Sequence, residues 1–142
     1  MKIYLDTNVI LDVVLNRHPF YSYAQRILEW CEEKSVLGYT SVLSFSNLAY
    51  IQRPRTPPRE RILKLIALRS IITPVDCTAT ILDQALYSGF KDFEDAMQYF
   101  CAMSCGADYL VTRNVQDFAP AEMPVGTPED FLDFYNASPP PL

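Results

Sequence analysis

Met1-Lys2-Ile3-Tyr4-Leu5-Asp6-Thr7-Asn8 opens the chain as a short apolar run that ends in a carboxylate, a hydroxyl and an amide. Residues 2–5 have the length and make-up of a buried strand, and the apolar spacing from Val9 to Leu15 predicts a helix directly behind it. A carboxylate at that junction sits where open α/β sheets place their ligands, at the carboxyl end of a strand. The pattern returns far along the chain. Tyr109-Leu110-Val111 runs into Thr112-Arg113-Asn114, with Asp117-Phe118 close behind. Two strand ends that present oxygens to one crevice outline a metal site.

Between these ends the punctuation predicts alternating elements. A helix spans Phe20 to Glu33, with Tyr23, Ile27, Leu28 and Trp30 to Cys31 as its apolar stripe. Gly38 breaks the pattern before a short strand at Tyr39 to Thr40, and Ser41 caps a helix from Val42 to Ile51 that Pro54 ends. A stiff basic linker leads into a helix from Arg59 to Leu68. Ile71 to Thr73 form a third strand, and helices over Thr78 to Ser88 and Asp92 to Ser104 precede the strand at 108–112. Met123 to Val125 make a weak fifth strand, and Thr127-Pro128-Glu129-Asp130 opens a last helix with a capping side chain and proline at its first position. Alternation of this kind predicts an α/β domain with a mostly parallel sheet of four to five strands covered on both faces. One domain over residues 1–135 and a proline-rich tail over 136–142 account for the chain.

The composition narrows the partners. At 142 residues and 49% hydrophobic the chain can bury a real core. Its net charge of −5 opposes broad attraction to nucleic acid. The charge is uneven, however: Arg53, Arg55, Arg59, Arg61, Lys64 and Arg69 crowd into a stretch whose one acid is Glu60. Divalent cations reconcile an acidic pocket with a phosphate substrate. Cys31, Cys77, Cys101 and Cys105 are scattered, and His18 is the lone histidine, which argues against zinc. No run approaches the roughly 18 apolar residues of a membrane span, and Asp6 and Asp12 interrupt the opening stretch. A cytoplasmic protein away from membranes is the expectation.

Each acid also has a plain structural role open to it. Asp6 suits a helix N-cap, Asp92 suits another, and Asn114 or Asp117 suits a turn. Spacing adds information: Asp92 and Asp95, three apart, share a helical face, whereas Glu94 points elsewhere. Carboxylates gathered without a cation repel and raise one another's pKa. Mg²⁺ or Mn²⁺, which want hard oxygen ligands, resolve that conflict, and phosphodiester hydrolysis is the natural reaction of such a site.

Four stretches taken together carry a resemblance. Leu5-Asp6-Thr7-Asn8, Thr40 to Leu48, Asp92-Phe93-Glu94-Asp95-Ala96, and Val111 to Asn114 with Asp117-Phe118 are similar to the motifs of the PIN domain family. That resemblance implies a three-layer α/β/α fold and a Mg²⁺- or Mn²⁺-dependent ribonuclease, with RNA as substrate and an antitoxin protein or a second copy as partner. It places Asp6 and Asp95 in the metal site, leaves Asn114 or Asp117 for a further position, and makes Thr7, Asn8 and Thr112 polar support. Asn47 stands where the family often has a glutamate, and an amide supplies neither charge nor base. Asp92 or Glu94 then compensates, with spacing in favour of Asp92. A binding module that no longer cleaves is the alternative. Arg53, Arg55, Arg59, Arg61 and Lys64 are expected to grip an RNA backbone or a protein partner, with Tyr50 stacking on a base. A phosphotransfer receiver and a dehalogenase-like phosphatase fit worse, because the receiver's paired acids and lysine are missing and position 8 is Asn.

Overall fold

In the computed structural model, which describes residues 1–137, the chain runs β1 (Lys2–Leu5), α1 (Thr7–Val14), α2 (Tyr21–Glu32), β2 (Leu37–Ser41), α3 (Val42–Ile51), α4 (Pro58–Arg69), β3 (Ile72–Val75), α5 (Ala79–Leu86), α6 (Phe93–Ser104), β4 (Tyr109–Val111), a short 3₁₀ helix (Val115–Phe118), β5 (Val125–Gly126) and α7 (Pro128–Ala137). The expected tail over 136–142 starts too early, since α7 includes Asn136 and Ala137; its remaining residues, 138–142, lie outside the described residues. The five strands form one sheet in the order β3-β2-β1-β4-β5, and every neighbouring pair is parallel. This is the expected α/β fold, with helices on both faces.

Strand alternation divides the core in two. Ile3 and Leu5 of β1 and Tyr109 and Val111 of β4 pack with Val9, Ile27, Trp30, Leu48 and Phe131 on one face. Tyr4 and Leu110 point the other way, into Ile81, Ala96, Met97, Cys101 and Phe118. The sheet grows outward from β1 to β2 and β3, then the chain returns to the other side of β1 for β4 and β5. That reversal leaves a crevice at the carboxyl ends of β1 and β4, the position such sheets use for ligands. Asp6 and Thr112 are the residues that leave those two strands.

Local chemistry sets the helix starts. Ser41 caps α3 by accepting from the Ser44 amide at 2.9 Å, and Thr78 caps α5 by accepting from the Ile81 amide at 3.2 Å. Thr127 and Asp130 cap α7 reciprocally, at 2.9 and 3.1 Å. Gly106, at φ +70°, turns the chain out of α6.

Gly38 corrects the sequence expectation: it lies inside β2 rather than ahead of it. A β-carbon there would stand 2.6 Å from Cys31 Sγ and 2.7 Å from Ile72 Cδ1, so glycine permits α2 and the sheet to close. Gly38→Ala is expected to lower stability by about 1–3 kcal/mol through overpacking. Urea unfolding measures it, and an unchanged midpoint contradicts the close approach. All four cysteines are free, and among the described residues no helix is long and apolar enough to cross a membrane.

Candidate active site

Asp6 is buried, with 4% of its surface exposed, yet both carboxylate oxygens have donors. The Thr7 amide donates to Oδ1 at 2.8 Å and the Thr112 hydroxyl to Oδ2 at 2.8 Å. Asp6 is therefore the N-cap of α1 and also a carboxylate held at the crevice; the two roles coexist. Asn8 binds the β4 exit by donating to Thr112 Oγ1 at 3.5 Å and accepting from the Arg113 amide at 3.3 Å. Thr112 Oγ1 also accepts from the Asn114 amide at 3.1 Å. Three of the expected supporting residues thus fix the geometry around one carboxylate.

The start of α6 supplies more acids. Asp92 caps the helix by accepting from the Asp95 amide at 2.9 Å. Asp92, Glu94 and Asp95 each offer a carboxylate oxygen within 4.8 Å of the others. Burial pushes the Asp6 carboxyl up to about 6, with the Glu94 charge next and Asp117 adding, against the opposing Thr112 and Thr7 donors. Burial likewise raises Asp95 to about 7, followed by the charges of Asp6, Asp92, Glu94 and Asp117. Those mutual influences bring Asp6, Asp92, Glu94, Asp95 and Asp117 into one electrostatic neighbourhood. Asp117 reaches it from the exposed 3₁₀ helix, while Asn114, also exposed, precedes that helix.

Glu94 corrects the sequence expectation in one respect: it does not point elsewhere but joins Asp92 and Asp95. Gln98, one turn on and fully buried, donates to Glu94 Oε1 at 2.6 Å and draws the longer side chain inward. Gln98 is itself fixed. Its Oε1 accepts a short hydrogen bond from the Tyr4 hydroxyl, and the Ser41 and Ser44 hydroxyls each lie 3.2 Å away. Ser44 also accepts from the Thr7 hydroxyl at 2.8 Å. A buried polar chain therefore connects Thr7, beside Asp6, to Glu94. The contact from α3 into this chain is Ser44, a turn before half-buried Asn47, whose side chain has no hydrogen bond among the described residues. Gln98 and Tyr4 lie outside the stretches that carry the resemblance, because a buried amide and a buried phenol look like ordinary core residues in a sequence, and Ser44 lies inside one without a role of its own being expected.

The raised carboxyls fix the sign of a pH response. Asp6 and Asp95 hold protons more tightly folded than unfolded, so their contribution to stability is complete below the ordinary aspartate range near 4 and is lost as pH rises through about 6 and about 7. Chelator-treated protein is expected to melt at a higher temperature at pH 5 than at pH 8. A higher melting temperature at pH 8 contradicts the crowding.

A second cluster lies just behind the site. Asp12, fully buried in α1, meets Arg17 Nε at 2.9 Å and Arg113 Nε at 2.8 Å. The Arg113 pair fastens α1 to the residue that follows Thr112, and the Arg17 pair fastens it to the α1–α2 turn. The basic stretch sits elsewhere: α1 and α3 start at the crevice, and Lys64 Nζ reaches the Val14 carbonyl at the far end of α1, at 3.4 Å. Arg61 donates to the Thr56 and Arg53 carbonyls at 2.9 and 3.3 Å. Arg53, Arg55 and Arg59 are exposed, and Arg53 lies 5.3 Å over the Tyr50 ring.

The family model described as PIN domain matches residues 2–116. No curated protein matches the chain. Among solved structures, a toxin-antitoxin complex from Klebsiella pneumoniae is similar at 22% identity and a TM-score of 0.67, covering 89% of this chain and 97% of that one. VapBC-1 from nontypeable Haemophilus influenzae is similar at 17% identity and a TM-score of 0.66, covering 91% and 99%. VapC20 from Mycobacterium tuberculosis, a sarcin-ricin loop cleaving toxin, gives 16% identity and a TM-score of 0.60 over 76% and 86%. Identities this low establish a shared fold.

Proposed function

Since this chain belongs to the PIN domain family, we propose that it is a metal-dependent endoribonuclease and the toxin of a toxin-antitoxin pair. The observation that carries the reading is the burial of Asp6 and Asp95, with the charges of Glu94 and Asp117 adding to it, which raises the two carboxyls to about 6 and about 7 and which a cation would relieve. The donor set fits Mg²⁺ or Mn²⁺, because it consists of hard carboxylate oxygens, of which those of Asp92, Glu94 and Asp95 lie within 4.8 Å of one another. A bound ion supplies an activated water near neutral pH and neutralises charge that develops on the phosphate.

The chain's own residues prepare that site. Asp6, Asp95 and Asp117 are the proposed ligands, with Glu94 taking the acidic part that Asn47 cannot. Asp92 serves first as the cap that orients the Asp95 end of α6. Thr112 and the Thr7 amide hold Asp6 in one orientation, and Gln98 does so for Glu94.

The test is a Mn²⁺ titration of thermal stability together with a single-stranded RNA cleavage assay. Stabilisation by metal and metal-dependent nicking support the proposal. The inactive binding module, which Asn47 favours, is supported by neither response. Arg53, Arg55 and Arg59 are proposed to contact RNA backbone phosphates, while the neighbouring exposed Ile62, Leu63 and Ile66 of α4 suit an antitoxin segment or a second copy. In the Arg55→Glu/Arg59→Glu variant, RNA affinity and its salt dependence are expected to drop. Unaltered RNA affinity with altered protein association reassigns the basic patch to a partner.

A further inference from the structure

A hollow of about 450 Å³ opens one residue beyond Thr112, between the α1–α2 turn and the start of α7. Pro19, Phe20 and Tyr23 line one side, Thr127 and Pro128 the other, and Arg113 stands between them. Its walls are mostly apolar, yet Phe20 and Tyr23 are 39% and 38% exposed as residues, so neither aromatic is covered completely by the fold. The Arg113 guanidinium lies 4.1 Å over the Phe20 ring while its Nε is held by Asp12. Among the described residues its terminal nitrogens have no protein acceptor, which leaves planar, fixed donors facing the hollow.

We propose that this hollow is a subsite for a nucleobase of single-stranded RNA, stacked on Phe20 and Tyr23 and met at its edge by Arg113. The proposal rests on the ribonuclease reading for its neighbour, the acidic centre. Thr112 bonds Asp6, and the next residue, Arg113, bonds Asn8 through its amide. A nucleotide whose phosphate lies at the acids therefore has an adjacent base within reach of the hollow. Flat aromatic walls with a fixed guanidinium suit a base, which offers π-faces and edge acceptors. A phosphate suits them less: the lining is largely apolar and includes the Glu129 carboxylate.

RNA hexamers are titrated by fluorescence anisotropy against the full chain in an Asp6→Asn background, where the RNA stays intact. Phe20→Leu and Tyr23→Leu keep apolar bulk and are expected to weaken binding about 5- to 150-fold, the range for losing one stacked base. Hexamers with one abasic position should bind the parent protein equally weakly, and the Leu variants should lose nothing more on them. Hexamers carrying 4-thiouridine should crosslink to the peptide containing Tyr23. Unchanged affinity, losses that add fully, or crosslinks confined to other segments overturn the subsite. Cleavage by the unaltered chain is scored separately. Cutting without these effects removes the subsite alone, whereas crosslinking at Tyr23 without any Mn²⁺-dependent cutting removes the ribonuclease reading alone.

Discussion

Replacing Asp6 by Asn is expected to reduce metal-dependent RNA cleavage at least about 100-fold while raising the melting temperature of the metal-free protein. The two effects have one cause. Folding carries the Asp6 carboxyl from near 3.8 up to about 6, a penalty at pH 7 on the order of 3 kcal/mol for keeping it ionised. Asparagine removes the buried charge, and its single oxygen still accepts from the Thr7 amide, the bond that caps α1. The loss of a ligand exceeds the 10- to 100-fold usual for losing a residue that only orients one. Circular-dichroism melts in EDTA and single-turnover cleavage with Mn²⁺ read the two arms. A metal-free variant less stable than the parent argues that the carboxylate is needed as a structural ion, and retained cleavage removes the aspartate cluster from the chemistry.

Asp12→Asn is expected to act in the opposite sense and to cost roughly 3–5 kcal/mol of stability, as removal of one partner from a buried ion pair does. Asp12 is fully buried, and it alone answers Arg17 Nε and Arg113 Nε, at 2.9 and 2.8 Å. Asparagine has one oxygen for two guanidinium donors and leaves positive charge partly uncompensated. Arg113 also joins Thr112 to the Phe20 ring, so the damage reaches the β4 exit that holds Asp6. Urea unfolding gives the stability, and Mn²⁺ affinity by calorimetry gives the effect on the site. A variant within about 0.5 kcal/mol of the parent, the range of ordinary surface changes, shows that the arginines find other partners.

Much of the architecture was legible in residue order. Periodicity located every strand and α-helix of the described chain to within a few residues, because caps and breakers such as Ser41, Thr78, Asp92 and Gly106 act locally, whereas the 3₁₀ helix at Val115–Phe118 was read only as a turn. Gly38 was misjudged because its demand is not local. Only the approach of Cys31 from α2 and Ile72 from β3 shows that a side chain cannot fit there.

The candidate site divides along the same line. By itself the sequence determined the alternating strands and helices, the acids at the element ends, and the likeness to one family, since each depends on neighbours along the chain. Tertiary structure decided which of those groups meet. The reversal of strand order at β1 set Thr112 against Asp6, and packing of α6 on Tyr4 buried Gln98, which drew Glu94 toward the crevice. Those contacts join residues far apart in the chain, and their energies come from burial and from satisfied hydrogen bonds that exist only once the layers close.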